Sequence, residues 1–283
     1  MESLGRSLLA VAGVVIFCLA AAHADEPHHL RHDLSEEELT KLSDTLRPEG
    51  YRPTGLSAYD AAGEERYAVI WEKREGAPWQ TRQNMNTQTW QDNFDALLGL
   101  GFRPVNVTAH NATNGDPRFS GVWERRGGDP WAVRVGLSPD DAQQAAAEYA
   151  EKGMVPVNLS GYNVAGAPRF AGVWEKTSDK VELQLDLSTP AADFPQSLKA
   201  RKSDGYRPVS ISGYTAQGKL QVASVWTKGP AGNVETRFNL TGDELNAVEK
   251  DLPQRGYSPT SLTAWSIDGK PRFAGIWEKT RRN

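Results

Sequence analysis

Five tryptophans recur along the chain at one step: Trp71, Trp123, Trp174, Trp226 and Trp277, spaced by 52, 51, 52 and 51 residues. Five glycines keep the same step (Gly50, Gly101, Gly153, Gly205 and Gly256), and each is followed three residues later by a proline. A second set, Gly63, Gly115, Gly166, Gly218 and Gly269, stands eight residues before each tryptophan. Three registers in step over five copies mean internal repetition. A unit of about 52 residues cannot bury both a helix stripe and a sheet face alone, so neighbours must stack. Five units use essentially all of the chain beyond residue 24 and leave no room for another domain.

Each unit opens with a helical pattern. Leu39, Leu42 and Leu46 recur at helical spacing, as do Trp90, Phe94 and Leu97. Ser35 with Glu38, and Thr241 with Glu244, are capping-box pairs, and Ser138-Pro139 places a cap before a proline at the first turn. The glycine after each helix is a C-terminal stop. In the fourth copy Pro195 predicts an interrupted or kinked helix. An alternating strand follows, with Leu56, Val107, Leu159, Ile211 and Leu262 on one face. A Gly-bearing turn leads to the strand that carries the tryptophan, and a third strand leads to the next helix. The expected fold class is α+β: five tandem repeats of helix, strand, turn, strand, strand, stacked in a curved arc or propeller-like array. The repeats run over about 34–85, 86–137, 138–187, 188–240 and 241–283. Five helices but only four third strands are evident. Nothing between Asp25 and Asp33 reads as the missing strand, which favours an open arc over a closed ring.

The N-terminus reads differently. Arg6, an apolar run from Leu8 to Ala21 and the sequence Ala22-His23-Ala24 predict a secretory signal peptide over residues 1–24. The expected location is therefore secreted or periplasmic, with no membrane association after cleavage. Cleavage also removes Cys18, so the remaining chain is held by its core and not by disulfides. Residues 25–33 read as a flexible leader carrying His28, His29 and His32. Closely spaced imidazoles suit zinc or copper, but a loose polar leader is the favoured explanation, and no metal is expected. A net charge of -4 argues against nucleic-acid binding.

The pattern Gly-[Tyr/Phe]-Arg-Pro, a serine-rich strand and then Pro-Arg-Phe-Ala-Gly-Val-Trp-Glu-Lys resembles the bacterial tandem repeat domain. The match is carried by Gly101 to Pro104, Gly205 to Pro208, Pro168 to Lys176 and Pro271 to Lys279. Repeats of this family also occur beside the β-lactamase-like serine hydrolase domain of polyglycine hydrolases. The resemblance implies a repeat fold. It does not imply that activity, because no serine in this chain has a lysine three residues later. The fourth copy departs most, with Gln221, Val222 and Thr227 in place of arginine, aromatic and glutamate.

No G-x-S-x-G, H-E-x-x-H or phosphate-binding glycine loop is present, so no catalytic residue and no cofactor is expected. Arg66, Arg118, Arg169 and Arg272 share a strand face with Glu72, Glu124, Glu175 and Glu278, six residues on. Structural ion pairs with a neighbouring strand or repeat are the expected role. The best candidate surface lies on the first strand of each unit. Tyr59, His110, Tyr162, Tyr214 and Trp265 occupy one equivalent position, and Ser57, Thr108, Ser160, Ser212 and Thr263 share their face. Aromatic rings beside hydroxyls suit peptides and sugars. Packing beneath the helix of the next repeat is the competing role for the rings. Of the sequons at Asn106, Asn111, Asn158 and Asn239, two lie within expected strands and recur with the repeat, so they need not carry glycans. The expected function is a non-catalytic binding or interaction module for a peptide, a cell-surface polysaccharide or a protein partner. A secreted hydrolase-associated protein or a hydrolase with an unrecognised site, and a structural envelope component, are the alternatives.

Overall fold

The computed structural model describes residues 27–112, 114–178, 181–228 and 233–279. The expected signal peptide lies outside the described residues. Five three-stranded antiparallel sheets, here called blades, each carry one helix. The first blade comprises β1 (His28–Leu34), α1 (Glu36–Leu46), β2 (Tyr51–Ala61) and β3 (Glu64–Lys73). The second has β4 (Trp79–Met85), α2 (Thr87–Gly99), β5 (Arg103–Asn111) and β6 (Pro117–Glu124). The third has β7 (Trp131–Leu137), α3 (Pro139–Glu151), β8 (Met154–Val164) and β9 (Ala167–Lys176). The fourth has β10 (Glu182–Pro190), α4 (Phe194–Ser203), β11 (Tyr206–Ala216) and β12 (Lys219–Lys228). The fifth has β13 (Val234–Leu240), α5 (Gly242–Asp251), β14 (Tyr257–Ile267) and β15 (Lys270–Lys279).

In every blade the tryptophan strand is central, flanked by an outer strand that precedes the helix and an inner strand that follows it. The inner strands β2, β5, β8, β11 and β14 contact one another in order, and β14 contacts β2. The array is therefore a closed ring and not an open arc. Closure comes from the segment read as a flexible leader. Residues 28–34 form β1, paired with β3 from His28↔Glu72 to Leu34↔Tyr67, and supply the missing third strand. The segment has almost no apolar alternation of its own. It becomes a strand because β3 offers a free edge and because Leu30 enters a core shared with Leu245, Phe273 and Trp277 of the fifth blade. The blade is thus strand, helix, strand, strand, one strand out of phase with the unit read from the helix onward.

Sheets set around a ring diverge outward, and the helices fill the wedges. Each bridges its own blade to the outer strand of the next. Arg47 donates to Trp79 O (3.0 Å), Gln143 to Leu185 O (3.1 Å) and Lys202 to Val234 O (3.3 Å). Capping boxes start α1, α3 and α5, and Asn86 caps α2 through Thr89 N–H. Pro195 does not kink α4; it lies in the first turn, where its missing N–H costs nothing. All five post-helix glycines have φ between 67° and 88°, a conformation a side chain would strain.

The five marker tryptophans are at most 1% exposed. Each pairs across its sheet with the repeat proline, as in Pro53↔Trp71 and Pro156↔Trp174, and a bulge follows the proline in every blade. In the second, third and fifth blades a glycine two residues before the tryptophan makes room for the indole: a Cβ on Gly275 would lie 2.4 Å from Trp277. The core lies between blades as much as within them. One cluster joins Trp90, Phe119 and Trp123 of the second blade to Tyr162 and Val173 of the third. Each fully buried Phe at such a seam contributes roughly 1.5–3 kcal/mol.

Candidate functional site

The inner strand of each blade pairs with the central strand along one edge only. Its other edge faces the ring axis, where its N–H groups need acceptors. The repeated hydroxyls supply them across the seams. Ser57 Oγ accepts from Ala264 N (2.9 Å), Thr108 Oγ1 from Ala58 N (3.3 Å), Ser160 Oγ from Ala109 N (3.0 Å) and Ser212 Oγ from Gly161 N (2.9 Å). A parallel tier places Asn158 Oδ1 on Val107 N and Ser210 Oγ on Leu159 N. The hydroxyl row read as ligand-binding is therefore spent on joining blades. Thr263 receives no such bond among the described residues. The axial channel between these tiers has a volume of only about 50 Å³.

At one end the channel widens into a funnel of about 460 Å³ lined by all five blades. Here the structure does bring the predicted aromatic row together: Tyr59, His110, Tyr162, Tyr214 and Trp265 all line it. The rings do not pack beneath the next repeat's helix. They pack against the central strand of the preceding blade, with Tyr59 edge-on to Phe273 (5.7 Å), Tyr162 to Phe119 (5.6 Å) and Tyr214 to Phe170 (5.5 Å). Their hydroxyls reach the bulge of their own outer strand. Tyr59 Oη accepts from Asp33 N and Tyr162 Oη from Gly136 N, while Tyr214 Oη donates to Leu187 O. Burial pushes the phenols up, Tyr162 to about 12. The funnel wall is thus made of ring edges, small residues and a rim of Asp60, Asn111, Asn163, Thr215 and Ser266.

Of the rim asparagines, the sequence marks Asn111 only as a sequon and does not single out Asn163. Asn111 Nδ2 donates to Asn163 O, and Asn163 Nδ2 donates to Thr215 O (2.9 Å), so three blades share a belt. The sequons have structural explanations. Asn158 and Asn111 hold seams, Asn106 is buried in the channel wall, and Asn239 takes a left-handed bulge at φ 60°.

His110 is the odd member of the aromatic row. It is too short to cap its own outer strand, and Ser120 Oγ accepts Asn84 N instead (3.1 Å). Burial, helped by Arg118, lowers the imidazole to about 4. Its Nε2 lies 3.9 Å from Glu65 Oε1, the atom that accepts the Tyr67 hydroxyl (2.6 Å). Burial raises the Glu65 carboxyl above its usual range, and the Tyr67 bond opposes this. Sequence reading missed Glu65 and Tyr67, although the signal was present: the other copies carry proline or leucine at the first position and phenylalanine or valine at the second.

On the opposite face of the ring, three of the four glutamates after the tryptophans pair across seams, but not with the arginines expected, and Glu72 pairs with Arg74 of its own blade. Arg52 lies 3.8 Å from Glu124, Arg103 lies 3.8 Å from Glu175 and Arg207 lies 2.6 Å from Glu278. All three belong to the Gly-[Tyr/Phe]-Arg-Pro motif. Where the series breaks between the third and fourth blades, both partners are lost together, as Val155 and Thr227. Arg66 pairs with Glu64, while Arg169 and Arg272 donate to the carbonyls of Pro168 and Pro271. The N-terminal histidines line the closing seam. His28 Nε2 lies 3.3 Å from Glu249 Oε2, and His32 Nε2 bonds Asn246 Oδ1 at 3.1 Å. His29 instead packs at a tilt against Tyr51 of its own blade, ring centroids 4.6 Å apart. No group of three metal-ligating side chains occurs among the described residues.

Comparison with known families bears on this geometry. The model of the polyglycine hydrolase-like structural repeat matches residues 27–74, 76–126, 128–177, 189–229 and 232–280. The matched units begin at or just before the outer strand, except in the fourth copy, and end at or just past the central one, so they follow the blades. The five matches span nearly the whole described chain, and the protein belongs to the polyglycine hydrolase-like structural repeat family.

Proposed function

We propose that this protein is a non-catalytic binding module whose axial funnel receives a segment of a peptide, cell-surface polymer or protein partner. The observation that carries this reading is the convergence of all five blades on one cavity of about 460 Å³ lined by aromatic edges and amides. Such lining combines apolar contact with short hydrogen bonds. The non-catalytic part of the reading is supported by Ser120. This hydroxyl, in the second blade with His110, is 0% exposed and already engaged with Asn84. A secreted or periplasmic location, with residues 1–24 removed as a signal peptide, belongs to the same proposal.

A thermal-shift panel of short peptides and cell-wall oligosaccharides tests it. A ligand that binds only the folded ring stabilises it by about 2.7 kcal/mol at a hundredfold excess over its Kd. The expected result is a saturable shift that is lost when a bulky side chain is placed on the rim, as in Thr215→Trp. A flat panel around a sharp melt would turn the reading towards a structural envelope role.

A further inference from the structure

Symmetry makes each seam a control for the others. At the top of every seam, two inner-strand and two central-strand positions meet. Between the second and third blades these are Asn111, Pro117, Phe119 and, from the facing blade, Tyr162. Between the first and second they are Asp60, Glu65, Tyr67 and His110. The other three seams carry no charged residue and no histidine at these positions. At this one seam all four positions carry titratable groups, and two of them, Asp60 and His110, line the funnel.

The set is not closed upon itself. His110 Nε2 stands 3.9 Å from Glu65, and among the described residues its Nδ1 has no hydrogen-bond partner. Trp265, which lines the funnel from the fifth blade and is only 4% exposed, has an indole Nε1–H with no acceptor among the described residues. Among the described residues that line the funnel, Asp60 is the one carboxylate and there is no lysine or arginine. Behind it, Glu36 and Asp60 act on Glu65, opposed by Arg118, which stands across the strand pair from His110. His110 is neutral at physiological pH, so it does not cancel the carboxylates. A guest drawn to this wall carries positive charge at its tip. The tyrosine edges elsewhere in the funnel suit an aliphatic stem, and the Trp265 N–H suits a carbonyl.

Building on the funnel as the binding site, we propose that its wall between the first and second blades recognises a lysine or arginine side chain of a partner polypeptide. The test uses three blocked pentapeptides, acetyl-Ala-Ala-Xaa-Ala-Ala-amide with Xaa lysine, glutamine or glutamate, titrated by tryptophan fluorescence or amide chemical shifts. The lysine peptide is expected to bind at least tenfold tighter than the glutamine peptide, and the glutamate peptide weakest. The preference should shrink as salt rises, since partly exposed charges are screened. The double variant Asp60→Asn with Glu65→Gln should bind lysine and glutamine peptides alike, and the salt series on the unaltered protein gives the same answer if that variant does not fold. Equal binding of lysine and glutamine peptides, independent of salt and abolished by Thr215→Trp, would overturn the charge recognition while keeping the funnel as a peptide site. No binding of any peptide at millimolar concentration would overturn both.

Discussion

The seam between the first and second blades and the seam between the third and fourth share one backbone arrangement and opposite chemistry. At the first, Arg52, Arg74 and Arg126 surround Glu124 on one face of the ring, and Glu65, Tyr67 and His110 meet on the funnel face. At the other, Val155 and Thr227 replace the ion pair, and Phe170 meets Tyr214 edge-on. Both seams close the ring. The comparison teaches that geometry comes from the elements every copy shares, the tryptophan–proline pairs, bulges and inter-blade hydrogen bonds. Charge is an addition laid over it at particular seams. Buried charge at a seam is therefore not required for closure, and what it does provide can be separated by experiment.

The largest effect should come from breaking the charged seam by halves. Glu124 is 3% exposed and Arg52 is 4% exposed. Glu124→Ala leaves buried guanidinium unpaired and should cost about 3–5 kcal/mol in chemical denaturation. Copying the uncharged seam with Arg52→Val and Glu124→Thr together should recover most of that loss. If the double variant is no more stable than Glu124→Ala, the two seams are not interchangeable and the comparison fails.

Acid should come next. His110 has a folded pKa of about 4 against an ordinary 6.5, so the unfolded chain takes up the proton first as pH falls. Stability contributed by the neutral imidazole is therefore whole above pH 6.5 and is lost as pH falls towards 4, amounting to roughly 3 kcal/mol. The raised Glu65 carboxyl works in the opposite sense: its contribution is present in acid and lost as pH rises through its folded pKa. Replacing His110→Tyr with Ser120→Ala copies the other blades, frees Asn84 N for the phenol, and should flatten the slope between pH 6.5 and 4. An unchanged slope would show that the buried imidazole of His110 is not the source of the acid sensitivity.

Smaller still is the loss of one seam hydroxyl. Ser212→Ala orphans the Gly161 N–H and should cost about 1–3 kcal/mol, whereas Thr263→Ala, which orphans no such donor, should stay within about 0.5 kcal/mol. Equal effects would show that the hydroxyl tier does not act through these bonds.

Much of this architecture was legible in the primary structure. Three registers in step announced five copies. Helix starts followed from capping pairs such as Ser35 with Glu38, and the alternation of the inner strands placed aromatic and hydroxyl rows on one face. Those properties are local, because they depend on dihedral preferences and on which residues repeat. The first strand was illegible for the same reason: His28 to Leu34 has little pattern of its own, and only the free edge of β3 and the core of the fifth blade make it a strand. Ring closure then decided what the rows are for. It turned Ser57 and its counterparts into acceptors for a neighbour's backbone and gathered five separate aromatic positions around one funnel. It also chose Arg52, and not Arg118, as the partner of Glu124. Sequence by itself determined the repeat, its elements and their faces. Tertiary structure alone decided closure, partner choice and the site, because each depends on residues from different copies meeting across a seam.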